Sequence, residues 1–199
     1  MINDTPVPPV VPAGRMGRDD QPVLGLPDGF ALRPWCPEDA EALMAAGRDP
    51  AIHRWNLFGV ASVREARDRI TRMQDRWRAE TGAVWALARP DGGATGLVGL
   101  NDVDLEGGSA EIIYWLLPAA RGRGAAVGAV ERVSRWALDE LGLHRLRLSH
   151  STANPASCRV ALKAGFAPEG VMRGALLHAD GWHDQHLHAR LAGDAPGPL

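Results

Sequence analysis

Tyr114-Trp-Leu-Leu-Pro-Ala-Ala-Arg-Gly-Arg-Gly-Ala-Ala126 is the stretch on which the reading of this chain turns. An apolar strand runs into a Gly/Arg loop, and the loop runs into the first turn of a helix. Such a turn leaves a row of backbone N–H groups without partners inside the chain, and the helix N-terminus adds partial positive charge. The stretch therefore suits an anion, a pyrophosphate above all. Gly122 and Gly124 let the main chain approach a phosphate with no Cβ in the way. It is not a Walker loop, because no Lys-Ser/Thr pair follows. The dinucleotide pattern Gly-x-Gly-x-x-Gly is met only in part, since the chain reads Gly122-Arg-Gly124-Ala-Ala-Val127.

Further motifs flank this loop in a fixed order. Upstream stand Leu32-Arg33-Pro34-Trp35, Asp39-Ala40 and Glu111-Ile-Ile-Tyr114-Trp115-Leu116. Downstream come Asn154-Pro-Ala-Ser157, Val160-Ala-Leu-Lys163-Ala-Gly165-Phe166, Glu169-Gly170 and Asp180-Gly181-x-x-Asp184. Together they resemble the GCN5-related N-acetyltransferases (GNAT), most closely the Rim-type branch of ribosomal-protein alanine/serine N-acetyltransferases. The resemblance spans Phe30 to Leu191. It implies an α/β fold with a central, mixed, mostly antiparallel sheet flanked by helices. It also implies acetyl-CoA as co-substrate and an amine as acceptor.

The length of 199 residues suits one domain with a proper core. Net charge is −2, and the cations are nearly all dispersed arginines, Lys163 being the sole lysine. No basic stripe argues for nucleic acid. Cys36 and Cys158 sit in unrelated contexts, which suggests a reducing compartment without a disulfide framework or a Cys-based metal site. No apolar run approaches the length that spans a membrane, and the start lacks a secretory h-region. A cytoplasmic protein is the expectation. The Pro-rich residues 1–27 read as a disordered arm, residues 28–192 as the single domain, and residues 193–199 as a disordered tail.

Between these limits the periodicities predict strands over Phe30–Arg33, Ala83–Arg89, Thr95–Val103, Ala110–Leu117, Arg145–His150, Phe166–Leu177 and Trp182–Leu191. Helices are predicted from Pro37 to Ala46, from the Ser62-Val-Arg-Glu65 capping box to Glu80, from Ala125 to Leu141, and from Pro155 to Ala164. The Arg-rich face of the second helix reads as solvated surface.

Amide formation from a thioester requires a held pyrophosphate, a polarised carbonyl, a neutral amine and a stabilised leaving thiolate. Backbone amides of Gly122, Arg123, Gly124, Ala125, Ala126 and Val127 are the candidates for the pyrophosphate. Arg121 and Arg123 either add charge there or face solvent. By the resemblance, main-chain groups of Tyr114, Trp115 and Leu116 pair with pantetheine and polarise the carbonyl, although the family often has a small residue in place of Ile113. Asn154 suits a helix N-cap, and by the resemblance it also reaches the pantetheine arm. By the resemblance Ser157 lies near the CoA sulfur and would donate to the leaving thiolate, with helix capping as the competing reading. Glu111 is the candidate base, with a polar strand residue holding a structural partner as the competing reading. An α-amine, with an unperturbed pKa of about 7.7–8.0, needs far less help than a lysine side chain near 10.4. By the resemblance Trp55 and Phe58 lie in a wall of the acceptor site, with core packing as the competing reading, and the Asp184 carboxylate could attract an amine there. His178, His183, His186 and His188 are read as pocket-shaping, surface or packing residues, and no metal is expected.

The reading is an acetyltransferase acting by direct attack in a ternary complex, on a protein N-terminal amine or a small-molecule amine. The rival is a non-catalytic acyl-CoA sensor or interaction domain. The acceptor, the acyl chain and the possibility of a homodimer are left open by the sequence.

Overall fold

A computed structural model describes residues 7–56 and 59–195. Its frame is an eight-stranded sheet in the order β1-β2-β3-β4-β5-β6-β8-β7. The strands are β1 (Leu24–Gly25), β2 (Ala31–Pro34), β3 (Ala83–Ala88), β4 (Ala94–Asp104), β5 (Ser109–Leu116), β6 (Arg145–Ser151), β7 (Ala167–His178) and β8 (Gly181–Leu191). β5 and β6 run parallel, and the other neighbours run antiparallel. This is the expected mixed, mostly antiparallel sheet.

Helices cover both faces, and β3 shows how. All six of its residues are buried. Trp85 and Leu87 pack in one apolar cluster with Val130 and Val133, while Val84 and Ala86 pack in another with Leu43 and Ile70. Alternation along a strand sends neighbours to opposite faces, so a strand covered twice must be apolar throughout. The first cluster lies under α4 (Ala125–Arg135) and α5 (Pro155–Lys163). The second lies under α1 (Ala40–Arg48) and α3 (Val63–Arg78). β3 and β4 approach so closely that a Cβ on Gly99 would stand 2.4 Å from the Ala83 carbonyl oxygen.

Two local differences from the sequence reading bear on the site. Asp49-Pro50 ends α1 but also begins a further helix, α2 (Pro50–Trp55): Asp49 Oδ1 accepts from the Ile52 N–H at 2.9 Å, with Pro50 at the first helical position. The helix predicted to Leu141 leaves α geometry at Trp136 and finishes as a wider π segment before Gly142, whose φ is 96°.

The larger difference is the N-terminal arm. Residues 1–6 lie outside the described residues, but residues 7–27 are not detached as expected. Val11, Met16 and Leu24 are buried, and Leu24–Gly25 pairs with Leu32 and Ala31. The Glu80 carboxylate accepts from the N–H groups of Gly14, Met16 and Gly17 at 2.6–2.8 Å. The indole N–H groups of Trp77 and Trp85 donate to the Asp19 and Pro22 carbonyls at 2.9 and 2.8 Å. Buried indoles need an acceptor, and a Pro-rich extended segment, whose carbonyls are uncommitted, supplies two.

Candidate active site

β5 and β6 pair only over Ser109–Glu111 and Arg145–Arg147. Beyond that they diverge, although β5 continues to Leu116 and β6 to Ser151. A cavity of 480 Å³ opens in the gap. Its walls are Ile113–Leu116 of β5, Ser149–Ser151 of β6, Asn154 and Ser157 at the start of α5, the loop at Arg121–Gly122, and Trp55 and Asn56 at the end of α2. β5 stays in register with β4 from Gly96↔Leu116 to Asn101↔Glu111, so Ile113 distorts nothing. The irregularity falls instead between Asn101 and Asp104.

The Gly/Arg loop forms the mouth of this cavity. Gly122 and Gly124 have φ of 77° and 76°, and a Cβ at either would meet nothing within 4 Å. None of the backbone N–H groups from Gly122 to Val127 donates to a backbone carbonyl among the described residues; the ladder of α4 starts with Gly128 bonding to Gly124. Six donors without backbone partners beside a helix N-terminus are a set that an anion could accept from. Arg121 serves another purpose. Its Nη2 lies 2.9 Å from Asp49 Oδ1 and its Nε donates to the Leu116 carbonyl at 2.9 Å. It locks the loop to the start of α2 and occupies one main-chain acceptor of β5. Desolvation pulls the Asp49 carboxyl upward, but hydrogen bonds from Arg121 and the Ile52 N–H prevail and hold it below the usual carboxylate value. Arg123 is exposed.

Asn154 caps α5, its Oδ1 accepting from the Ser157 N–H at 3.1 Å. The Ser157 hydroxyl is therefore free of capping. It lies 2.6 Å from the Tyr114 phenol oxygen. Burial pushes the Tyr114 phenol up to about 12, against the opposing influence of Ser157. The phenol thus stays protonated at neutral pH and forms, with Ser157, a two-hydroxyl chain ending in the cavity.

The remaining predicted residues divide. Trp55 lines the cavity, its ring 5.7 Å from His178 and 6.3 Å from His183, edge-on. Phe58 lies outside the described residues. Glu111 stands where β5 and β6 are still paired, 3.7 Å from Arg147 Nε, and is not part of the cavity wall. Asp184 accepts from the Gly174 N–H at 2.8 Å within the β7–β8 hairpin and is also absent from the wall.

Two groups went unread in the sequence. Ser151, in the wall, is 2.8 Å from His183 Nδ1, and His183 Nε2 is 2.9 Å from Asp180 Oδ1. The Ala153 N–H donates to Ser151 Oγ at 3.1 Å, so the hydroxyl proton points to the imidazole. Across the splay, Arg69, Arg72 and Arg76 line a second cavity of 390 Å³ that shares Asn56, Ile113, Tyr114 and Trp115 with the first. Desolvation and the nearby Arg72 depress the Arg69 pKa, against the opposing influence of Glu65. The spacing i, i+3, i+7 puts the three on one face of α3, the Arg-rich face read from the sequence as solvated surface. That this face meets a cavity depends on where α3 docks.

Comparison with known proteins agrees with this geometry. Residues 30–167 match the family model described as "Acetyltransferase (GNAT) domain". An uncharacterized N-acetyltransferase of Bacillus subtilis, YoaA, is 30% identical over 73% of this chain and 84% of its own. The ribosomal-protein-serine acetyltransferase of Escherichia coli is 30% identical over 48% of this chain and 54% of its own. In fold the chain is similar to RimL, a ribosomal α-N-protein acetyltransferase solved in complex with coenzyme A, with a TM-score of 0.80, 18% identity, and coverage of 85% of this chain and 98% of that one. With its splayed strands, its unpaired loop amides and a family match over most of its length, the chain belongs to the GNAT acetyltransferases.

Proposed function

We propose that the chain transfers the acetyl group of acetyl-CoA to the α-amine of a peptide or protein N-terminus, by direct attack while both substrates are bound. The observation that carries this reading is the cavity that joins Gly122 and Ala126 of the loop with unpaired amides, the free edge of β5 and the Tyr114–Ser157 pair. The amides take the pyrophosphate, and the open edge of β5 takes the pantetheine arm and polarises the thioester carbonyl. The amine nitrogen forms the new bond to that carbonyl carbon, and the carbon–sulfur bond breaks. Ser157 donates a hydrogen bond to the departing thiolate while accepting one from the Tyr114 phenol, and the thiolate takes its proton from water.

The amine's proton leaves by Ser151, His183 and Asp180, in preference to Glu111, which Arg147 holds outside the wall. Desolvation pulls Asp180 upward, but its own backbone N–H and the His183 ring keep it below the usual carboxylate value. It is therefore ionised at neutral pH and can hold the imidazole in the accepting tautomer. The arginines of α3 favour an acceptor with carboxylates near its amine and disfavour a polyamine. Coenzyme A release should thus be fast with a peptide whose first residues include Asp or Glu. It should be slow when Lys replaces them. Turnover of polyamines alone would overturn the acceptor assignment.

Two substitutions test the roles. Ser157→Ala should lower kcat roughly ten- to a hundredfold, since a hydrogen bond to a charged group is worth about 1.5–3 kcal/mol. Because Asn154 does the capping, helix stability should change little, apart from the buried phenol left without its partner. Unaltered kcat with a lower melting point would remove Ser157 from the chemistry. His183→Gln should depress turnover most below pH 7, where the amine is mostly protonated, and progressively less as solution deprotonates it above its pKa of about 8. A uniform loss at every pH would mean that His183 only shapes the wall.

A further inference from the structure

Four potential ligands converge at the β6 wall of the cavity, where His150 itself lines it. His150 on β6 is the cross-strand partner of His186 on β8, and His188 follows two residues later on the same face. Cys158, in the first turn of α5, completes the group. One ring nitrogen from each histidine and the Cys158 Sγ all lie within 4.8 Å of one another. His150 and His188 are buried, and His186 and Cys158 are partly buried.

Proton bookkeeping makes this cluster unusual. His150 Nδ1 is 2.8 Å from the Ser151 carbonyl oxygen, which can only accept, so Nδ1 carries the proton and Nε2 is a bare lone pair. That lone pair faces His188 Nε2 at 3.2 Å. If His188 donates from Nε2, its Nδ1 is left bare, buried and without a donor. If the Nδ1 proton is instead directed toward the Phe166 backbone, which it approaches without reaching hydrogen-bond geometry, two lone pairs confront each other. His186 Nδ1 is also buried with no partner. A purely hydrogen-bonded cluster therefore leaves buried acceptors unsatisfied, each a penalty. A shared cation removes the conflict at the facing Nε2 atoms. With metal–nitrogen distances of about 2.0–2.1 Å, two ligands of a tetrahedral ion stand about 3.3–3.4 Å apart, close to the 3.2 Å observed.

We propose that His150, Cys158, His186 and His188 bind one zinc ion. Three imidazoles and a thiolate suit zinc among divalent ions, and four protein ligands with no open position make a structural site rather than a catalytic one. It would pin α5 to β6 and β8. Cys158 adjoins Ser157 and His150 adjoins Ser151, so the ion would fix two hydroxyls of the cavity wall. The metal site does not depend on the proposed reaction.

The full chain, purified without chelator, should contain about one zinc per molecule by plasma mass spectrometry. After removal of the metal, Zn²⁺ titrated by calorimetry should bind one to one with proton release, and its removal should lower the melting temperature. Co²⁺ in its place should give the intense visible bands of a tetrahedral ion and a thiolate-to-cobalt charge-transfer band. Cys158→Ser should abolish the charge-transfer band, and His186→Gln, a second route should the first variant fold poorly, should weaken Zn²⁺ binding at least tenfold. A folded, metal-free chain that binds neither Zn²⁺ nor Co²⁺ would overturn the proposal. So would a cobalt spectrum unchanged in Cys158→Ser.

Discussion

Deletion of residues 1–22 should lower the melting temperature on the order of 10 °C. The deletion removes Val11 and Met16, both buried, and their burial is worth about 1.5–3 kcal/mol each. It also takes the Asp19 and Pro22 carbonyls from the Trp77 and Trp85 indoles, and three N–H donors from Glu80. The indoles and carboxylate regain water when the arm leaves, so these bonds contribute only about 0.5–1.5 kcal/mol apiece. The larger loss is apolar: Trp77, Trp85 and Trp136 form one aromatic cluster, with Trp85 and Trp136 rings 5.1 Å apart, and the arm shields it. A total of several kcal/mol, at about 2–4 °C per kcal/mol for a chain of this size, gives the expected shift. Acetyl-CoA affinity well below the new melting point should hold, because none of these contacts involves the cavity wall. Scanning calorimetry on the truncated chain would decide; an unchanged melting temperature would mean that the arm's contacts carry no stability.

That expectation reverses what composition suggests, and the reason is physical. A Pro-rich segment without periodicity has no regular face to read. Its docking depends on single residues meeting particular gaps, and on the left-handed conformation of Glu80 (φ 58°) that presents the carboxylate. The sheet was legible because a strand's apolar run is local: Ala83–Ala88 is apolar throughout whatever surrounds it. The Gly/Arg loop was legible because φ near +76° at Gly122 and Gly124 requires glycine. The α5 cap was legible because Asn154 and Ser157 are neighbours in sequence.

What the sequence hid are pairings across long separations. Arg121 reads equally well as a phosphate ligand, but Asp49, 72 residues away, claims it. Tyr114 reads as strand backbone until α5 brings Ser157 to its hydroxyl. Cys158 looks unrelated to His186 and His188 because their meeting requires β8 to insert between β6 and β7. The Ser151–His183–Asp180 chain likewise joins β6 to the β7–β8 turn.

Gly124→Val should weaken acetyl-CoA binding at least tenfold and leave the fold in place. Gly124 is the N-cap of α4, with φ 76° and ψ −2°. A β-branched residue in that region is strained by about 1–3 kcal/mol, so the melting point should fall modestly. No protein atom lies within 4 Å of the added Cβ, so the substitution makes no clash of its own. The new side chain instead projects from the mouth of the anion cradle. A tenfold loss is only about 1.4 kcal/mol, well within what displaced charge-assisted hydrogen bonds contribute. Coenzyme A and desulfo-coenzyme A should weaken in parallel, since the contact is with the nucleotide end and not the thioester. Gly128→Ala is the control: its added Cβ also meets nothing, but the position lies within α4, where alanine is favoured, so binding and stability should be kept. Calorimetry on a folded Gly124→Val that binds coenzyme A as tightly as the wild type would show that the amides of Gly122–Val127 are not the pyrophosphate cradle. The cavity would then have to hold the nucleotide by another wall, and the functional reading would rest on the family match alone.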